Sequence, residues 1–426
     1  MQSDNPEIDV MIAEILSTGD EVRSGAVIDS NAAYIAQKLE EIGIGVVRHN
    51  CVGDDNSILS AVIKEISNRA DIAVVTGGLG PTEDDLTAEA AADAAGVHLI
   101  CDEKALKMIE EFFKSRNRPL SHLNKKQAFM PLGSECIYNP VGTAPGFVCK
   151  INRCTFYFMP GVPFEMYKML QDAVIPKIIK QSGRDRTHFI VKTISTFGLP
   201  ESEVNERLLG FNETFKALTL GLRAIFPEIQ IKIYGKGHDK NILENEISEA
   251  VKWIEIRMGI NLLSTEGYPI EAVLGDLLRK NGATIAVAES CTGGLISNKL
   301  TNIAGSSDYF LFSAVTYSNE SKVKILGVSE GVLEKYGAVH EETAKQMAEG
   351  VRRIAGSTYG ISTSGIAGPD GGTPEKPVGT VCIGIATSSF ANGMRFNFPF
   401  TERLRNKEIF AAVAMDILRR ELLRNQ

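Results

Sequence analysis

The sequence predicts an α/β protein in three parts: an open-sheet domain over residues 8–180, a small α+β module over 187–257 and a second α/β domain over 262–424. Two observations carry this reading. Short β-branched runs alternate with helical periodicity at both ends of the chain and lose that rhythm between them. At roughly 100–200 residues per domain, 426 residues also leave room for two to four domains, and 44% apolar with 23% charged residues lets each bury a core.

The elements follow in order. Residues 10–16 read as a buried strand, and Ile35, Leu39 and Ile42 mark one face of a helix that Gly43 ends. Residues 46–51 form a second strand. Asp54 and Asp55 then precede a helix carrying Ile58, Val62 and Ile66, and 72–76 is a third strand. This βαβαβ order predicts an open parallel sheet with helices on both faces. The middle module, starting near Thr187, shows strands at 189–196 and 229–234, a short helix after Pro200 and a helix through Leu243, Ile247 and Trp253. Its Gly235-Lys236-Gly237 run reads as a strand-end or hairpin turn rather than an anion site. From Tyr268 the order is helix, strand (284–288), helix, strand (309–317), several helices, three strands (361–364, 378–386, 394–398) and a closing helix to Leu423.

Composition narrows the chemistry. Lys plus Arg number 45 and Asp plus Glu 53, a formal charge of −8 without long single-sign blocks, which argues against non-specific nucleic-acid binding but leaves room for a nucleotide in one pocket. Seven scattered cysteines with no CxxC pair indicate neither a disulfide framework nor a structural zinc site. With six dispersed histidines, any metal is expected on carboxylates. No apolar run approaches the ~20 residues that span a bilayer, and residues 1–9 are polar and acidic, so a soluble cytoplasmic protein without membrane attachment is expected.

Two constellations carry chemistry. After the strand at 72–76 come Gly77, Gly78, Leu79, Gly80, Pro81, Thr82, Glu83, Asp84 and Asp85. Glycines at a strand-to-helix turn let backbone N–H groups approach a phosphate, and the two aspartates could hold a hydrated divalent ion against it. A plain turn with acidic residues suited to the helix dipole is the competing reading, weakened by the PTEDD continuation. Residues 17–21, Ser-Thr-Gly-Asp-Glu, lie at the same carboxyl edge of the sheet, where ligands of open α/β sheets bind. The 139–146 loop serves equally as a ligand contact or a connection. In the last domain, Ser290 sits where a strand turns into a helix, as nucleophile, oxyanion partner or N-cap. Serines, a tyrosine and Lys322 cluster downstream. His340 is the only histidine here and has no evident carboxylate partner, so lysine is the better candidate base if desolvation lowers its pKa. Read alone, Lys322 is also an ordinary surface lysine near Lys324. The glycine-dense run from Ser364 to Thr380 could wrap a phosphate.

The strings TGDEV, DSNAAYIAQKL, VGDD, GGLGPTEDDLT, NPVGTAPGF and MPGVPFEM resemble, in order, the competence/damage-inducible protein A (CinA) family, whose first domain is similar to the molybdopterin-binding MoaB/MogA fold. The resemblance implies hydrolysis of ADP-ribose to AMP and ribose 5-phosphate with a divalent metal, Mg²⁺ or Co²⁺. Asp84, Asp85 and Asp20 would position metal or water, and Gly77, Gly78, Gly80 and Thr82 would lie near phosphates. A pterin is the alternative ligand. ESCTGG, AGSSDYF, TYSNESK, YGAV and SGIAGPDGGTPEKPVGTV resemble the nicotinamide mononucleotide deamidase (PncC) domain that ends CinA proteins. That implies an amidohydrolase without an essential metal, converting nicotinamide mononucleotide to nicotinate mononucleotide and ammonia. Ser290, Ser307, Tyr317, Lys322 and Ser364 match its active-site positions, with Ser307 preferred as nucleophile and Ser290 assisting the oxyanion or substrate. Arg403, Gly365, Gly368, Gly371, Thr292 and Gly293 would hold substrate. Thr401 and Glu402 stand where Gly-Asp is common, which leaves Arg405 as a rival to Arg403. The resemblance also suggests a homodimer. A non-catalytic nucleotide- or pterin-binding adaptor linked to competence is the contrasting reading.

Overall fold

The computed structural model describes residues 11–182 and 188–424. Residues 8–10 and Thr187, where two sequence-predicted segments begin, lie outside the described residues. The chain divides into two compact units, one running to Ile190 and including Lys236–Leu243, the other holding Val191–Gly235 and the chain from Glu244 onward.

The first unit is built on a six-stranded sheet in the order Val46–Val52, Ala13–Thr18, Ile72–Thr76, Cys154–Met159, Gly146–Ile151, Glu135–Ile137. The first four strands are parallel and the last two antiparallel. Ala13–Thr18 is buried at every position, as a central strand covered on both faces must be. Helix Ser30–Glu41 is capped by Asp29, whose carboxylate accepts from Ala32 N (2.9 Å). Asp55 caps helix Asn56–Arg69 in the same way. One core layer gathers Leu16, Val75 and Phe156, and the opposite layer Ile15, Val74 and Tyr157, as the alternation of a strand requires. The sequence reading stopped at three strands here. The missing hairpin, Gly146–Ile151 with Cys154–Met159, closes on Asn152-Arg153, and Asn152 adopts φ 51°, a left-handed turn conformation that asparagine tolerates better than most residues.

The middle module forms a four-stranded sheet ordered Leu218–Ile225, Glu228–Gly237, His188–Phe197, Leu262–Ser264. Strand Leu218–Ile225 was not anticipated, and Gly235-Lys236-Gly237 is the end of a strand. The last domain has a five-stranded sheet ordered Phe310–Val315, Ile285–Glu289, Tyr359–Gly365, Thr380–Ala386, Ala391–Asn397, the first three parallel and the rest antiparallel. Helices Ile270–Lys280 and Arg403–Arg424 pack on one face through Leu274, Leu278, Phe410 and Met415, and Glu341–Ala355 packs on the other through Met347 and Val351. That second helix approaches so closely that a Cβ on Gly360 would stand 2.2 Å from Ala348 O. Among the described residues, no helix is long and apolar enough to cross a membrane.

Candidate functional site

Strand Ile285–Glu289 ends directly at Ser290, whose N–H is fixed to Thr363 O of the neighbouring strand (3.0 Å). The turn that follows is organised by Glu289, a fully buried carboxylate. Its oxygens accept from Gly294 N (2.9 Å), Ile296 N (3.2 Å), Ser297 N (2.9 Å) and Ser297 Oγ (2.6 Å). Four donors compensate the cost of burying the charge and set the path of the backbone leaving Ser290.

Lys322 reaches the same point from the chain beyond strand Phe310–Val315. A single helical turn, Asn319–Ser321, is capped by Ser318 and widens into a π-turn, Lys322–Leu326, which points the lysine inward. Its side chain is 1% exposed, and Nζ lies 3.1 Å from Ser290 Oγ, 2.8 Å from Thr316 O and 3.2 Å from Tyr317 O. Desolvation holds its pKa below the ordinary lysine value. A neutral amine has two N–H bonds and one lone pair. The two carbonyls take the donors, so the lone pair faces the serine hydroxyl, the arrangement a general base needs. The neighbouring Cys291 is buried, and its thiol is pushed up to about 12, chiefly by desolvation, so it is no rival nucleophile.

Ser290 and Lys322 open on a pocket of about 280 Å³ that Tyr317, Ser364 and Arg403 also line, with Gly365, Gly368 and Gly371 from the glycine-dense loop. Ser364 Oγ donates to Ala338 O (2.7 Å). Arg403 donates through Nη1 to Gly368 O (2.9 Å) and through Nη2 to Tyr317 Oη (3.0 Å), so the one guanidinium ties loop and tyrosine together. Arg405 instead lies 4.6 Å from the ring centres of both Phe226 and Phe400 and does not line the pocket.

Three sequence-predicted positions are corrected. Ser307 is exposed and precedes strand Phe310–Val315, whereas Ser290 follows the parallel strand paired with it. The two serines therefore stand at opposite edges of the sheet, ~16 Å apart at about 3.3 Å per residue, and Ser307 does not meet Lys322 within this chain. Thr292 is fully buried with its hydroxyl 2.7 Å from that of Thr363, outside the pocket lining. Gly293 does not line the pocket either. His340 serves as the N-cap of helix Glu341–Ala355, Nδ1 accepting from Glu342 N (3.1 Å), and stacks on Tyr336. Sequence reasoning missed Glu289, although its place directly before the strand-end serine was the available signal.

The first unit has its own cleft, about 480 Å³, at the carboxyl edge of its parallel strands. Gly77, Gly78, Gly80, Asp84 and Asp85 line it, as do Ser17, Asn31, Thr143 and Glu165. Gly77 adopts φ 109°, and a Cβ there would stand 2.4 Å from Thr18 O, so only glycine lets the two loops meet. The 139–146 loop is ordered by Asn139, whose Oδ1 accepts from Val141 N (3.1 Å) and Gly142 N (2.9 Å) and whose Nδ2 donates to Ala144 O and Glu165 Oε2 (both 2.8 Å). Sequence reasoning had left that loop open and had missed Asn31 and Glu165.

The expected metal set is not assembled. Asp20 does not line the cleft, and its Oδ1 is held by Arg23 Nε (3.0 Å). Asp85 Oδ2 accepts from Thr82 N (2.9 Å) and from the Thr82 hydroxyl, so Thr82 closes a turn and does not itself line the cleft. Asp84 also has Thr82 as a local partner, a side-chain hydrogen bond that lowers its pKa, and both Asp84 and Asp85 line the cleft. Among the described residues, no group of three or more His, Cys, Asp or Glu side chains could hold a metal ion. Asp84 and Asp85 remain on the cleft as a pair that would hold a divalent ion only together with its waters and a ligand phosphate.

Fold and sites together define an α/β protein of two compact units, one with an open-sheet cleft of the MoaB/MogA kind and the other with a buried Ser–Lys pair of the type hydrolases use. Residues 14–180 match the family model of a probable molybdopterin binding domain, 191–262 that of the damage-inducible protein CinA KH domain, and 268–422 that of the CinA C-terminal domain. The chain is 49% identical over 413 residues to a CinA-like protein of Desulfosudis oleivorans, covering 97% of this chain and 100% of that one. A CinA-like protein of Desulforapulum autotrophicum is 48% identical over 417 residues, covering 97% and 99%. A crystal structure of the CinA protein of unknown function from Thermoplasma acidophilum is 35% identical and covers 39% of this chain and 98% of that chain, with a TM-score of 0.37. This chain belongs to the CinA family.

Proposed function

We propose that the last domain hydrolyses the carboxamide of nicotinamide mononucleotide to nicotinate mononucleotide and ammonia, with Ser290 as nucleophile and Lys322 as base. The observation that carries this is the 3.1 Å contact between Lys322 Nζ and Ser290 Oγ at the floor of a pocket with a glycine loop and an arginine opposite. Lys322 takes the hydroxyl proton as Ser290 Oγ attacks the carboxamide carbon. The resulting ammonium returns that proton to the departing nitrogen, and ammonia leaves an acyl ester on Ser290. Lys322 then takes a proton from water, whose oxygen attacks the ester carbon, and the ammonium reprotonates Ser290 as nicotinate mononucleotide departs. The remaining guanidinium N–H groups of Arg403 and the backbone N–H groups of Gly368 and Gly371 suit a 5′-phosphate. Replacing Lys322 by Ala should lower ammonia release by about 10²–10⁴-fold, the usual worth of a positioned base. Unchanged release with the fold intact would refute the dyad.

For the first unit we propose ADP-ribose as ligand of the 480 Å³ cleft, with its diphosphate on the Gly77–Gly80 loop. Hydrolysis to AMP and ribose 5-phosphate is assayed with and without Mg²⁺ or Co²⁺, for wild type and Asp84→Ala. Absence of metal-dependent AMP would remove the hydrolytic part of this proposal.

A further inference from the structure

Two side-chain atoms in the cleft of the first unit have nothing to bond to. Ser17 is 2% exposed and Asn31 8%, both line the cleft, and neither Ser17 Oγ nor Asn31 Oδ1 has a hydrogen-bond partner. The fold explains why they lie together. Ser17 and Thr76 are register partners on adjacent parallel strands, so their side chains share a sheet face, and Asn31 Nδ2 donates to Thr76 Oγ1 (3.1 Å) and to Gly161 O (2.7 Å). Those two bonds fix the amide orientation, and the oxygen is the atom left over. Buried polar atoms are nearly always paired, because leaving one unpaired costs about 1–3 kcal/mol.

We infer that Ser17 and Asn31 form a ribose-hydroxyl subsite, a reading that rests on the nucleotide proposed above for this cleft. An amide oxygen only accepts hydrogen bonds, so the ligand group must bring a donor, and a phosphate oxygen would be repelled. Phosphates have a different wall. Among the described residues, the N–H groups of Gly78, Leu79 and Gly80 find no protein acceptor, and all three residues line the cleft. The cleft is thus divided into a donor wall for the diphosphate and an acceptor wall for a sugar. One ribose hydroxyl donates to Asn31 Oδ1 and its neighbour exchanges a bond with Ser17 Oγ.

The test is Ser17→Ala in the full chain, with binding of ADP-ribose, inorganic pyrophosphate and neopterin measured calorimetrically. Since Ser17 Oγ is buried with no partner inside the protein, the variant has a thermal midpoint equal to or above that of wild type, yet binds ADP-ribose about tenfold more weakly and pyrophosphate as before. Unchanged ADP-ribose binding, or an equal loss for pyrophosphate, would overturn the subsite while leaving the nucleotide reading standing. A loss confined to neopterin would overturn the ribose assignment in favour of a pterin. A wild type that binds neither ADP-ribose nor pyrophosphate would remove the nucleotide reading itself.

Discussion

At the residue scale, Ser290 and Lys322 show what short motifs disclose and what they leave open. Both residues are legible in the sequence as reactive types, but the motifs alone favour Ser307 as nucleophile, whereas the structure places Ser290 beside Lys322. The deciding signal is positional. Ser307 precedes its strand and Ser290 follows its own, and open α/β sheets bind ligands at the carboxyl edge. The expected outcome is that Ser290→Ala lowers ammonia release from nicotinamide mononucleotide by about 10³-fold or more, whereas Ser307→Ala leaves the chemical step largely intact. Acidity belongs to this scale as well. The proposed dyad needs Lys322 neutral, and burial lowers its pKa. Activity should therefore rise with pH through that lowered value, reach half-maximum below the pH at which an ordinary lysine titrates, and stay level above it. A rate profile on the wild type checks this, and a rate that falls with rising pH over that range would contradict it. Asp20 taught a local lesson: its carboxylate is claimed by Arg23 three residues on, a pairing that the DEVR string already contains.

At the scale of elements, the turn after strand Ile285–Glu289 matters more than any helix. Helices and parallel strands were readable because periodicity and caps such as Asp55 are local signals. The hairpin Gly146–Ile151 with Cys154–Met159 and the strand Leu218–Ile225 were not, since the short runs GFVCKI and CTFYFM are apolar at most positions and show little alternation, Gly221 and Ala224 are poor strand formers, and the pairing is settled by the sheet they join. The role of Glu289 was hidden for a related reason. A buried carboxylate is recognisable only once the N–H groups of Gly294, Ile296 and Ser297 are seen to converge on it. Glu289→Gln presents an NH₂ group to some of those donors and should loosen the turn. We expect kcat to fall about tenfold or more with little change in KM, because Arg403 and the glycine loop still hold the substrate. A rise in KM with kcat unchanged would show that the turn binds substrate rather than positions Ser290.

At the scale of the whole molecule, each unit carries its own cleft at the carboxyl edge of its parallel strands, and the mild overall acidity is compatible with anionic ligands because loops and Arg403, not a basic surface, would receive them. Within the second unit, Glu228 joins the middle module to the last domain by accepting from Ile270 N (2.9 Å) at the start of helix Ile270–Lys280. Burial pushes its carboxyl up to about 7, above the 4.5 of the free side chain. The unfolded chain ionises first as pH rises, so the stability this group contributes is complete below about 4.5 and is lost by the time pH passes 7. Glu228→Gln keeps the accepting oxygen and should match wild type in unfolding free energy near pH 4, then exceed it at pH 8 by on the order of 2 kcal/mol. An equal difference at both pH values would contradict that origin. We also propose a homodimer, for which light scattering should give twice the 46.3 kDa chain mass and a monomer mass would be contrary. The proposed Ser290–Lys322 amidohydrolase is tested most directly by incubating wild type, Ser290→Ala and Lys322→Ala with nicotinamide mononucleotide and following ammonia and nicotinate mononucleotide together. Wild type should release both products in equal amounts, and either variant only near-background amounts. No ammonia from a folded wild type, or full turnover by Ser290→Ala, would contradict it.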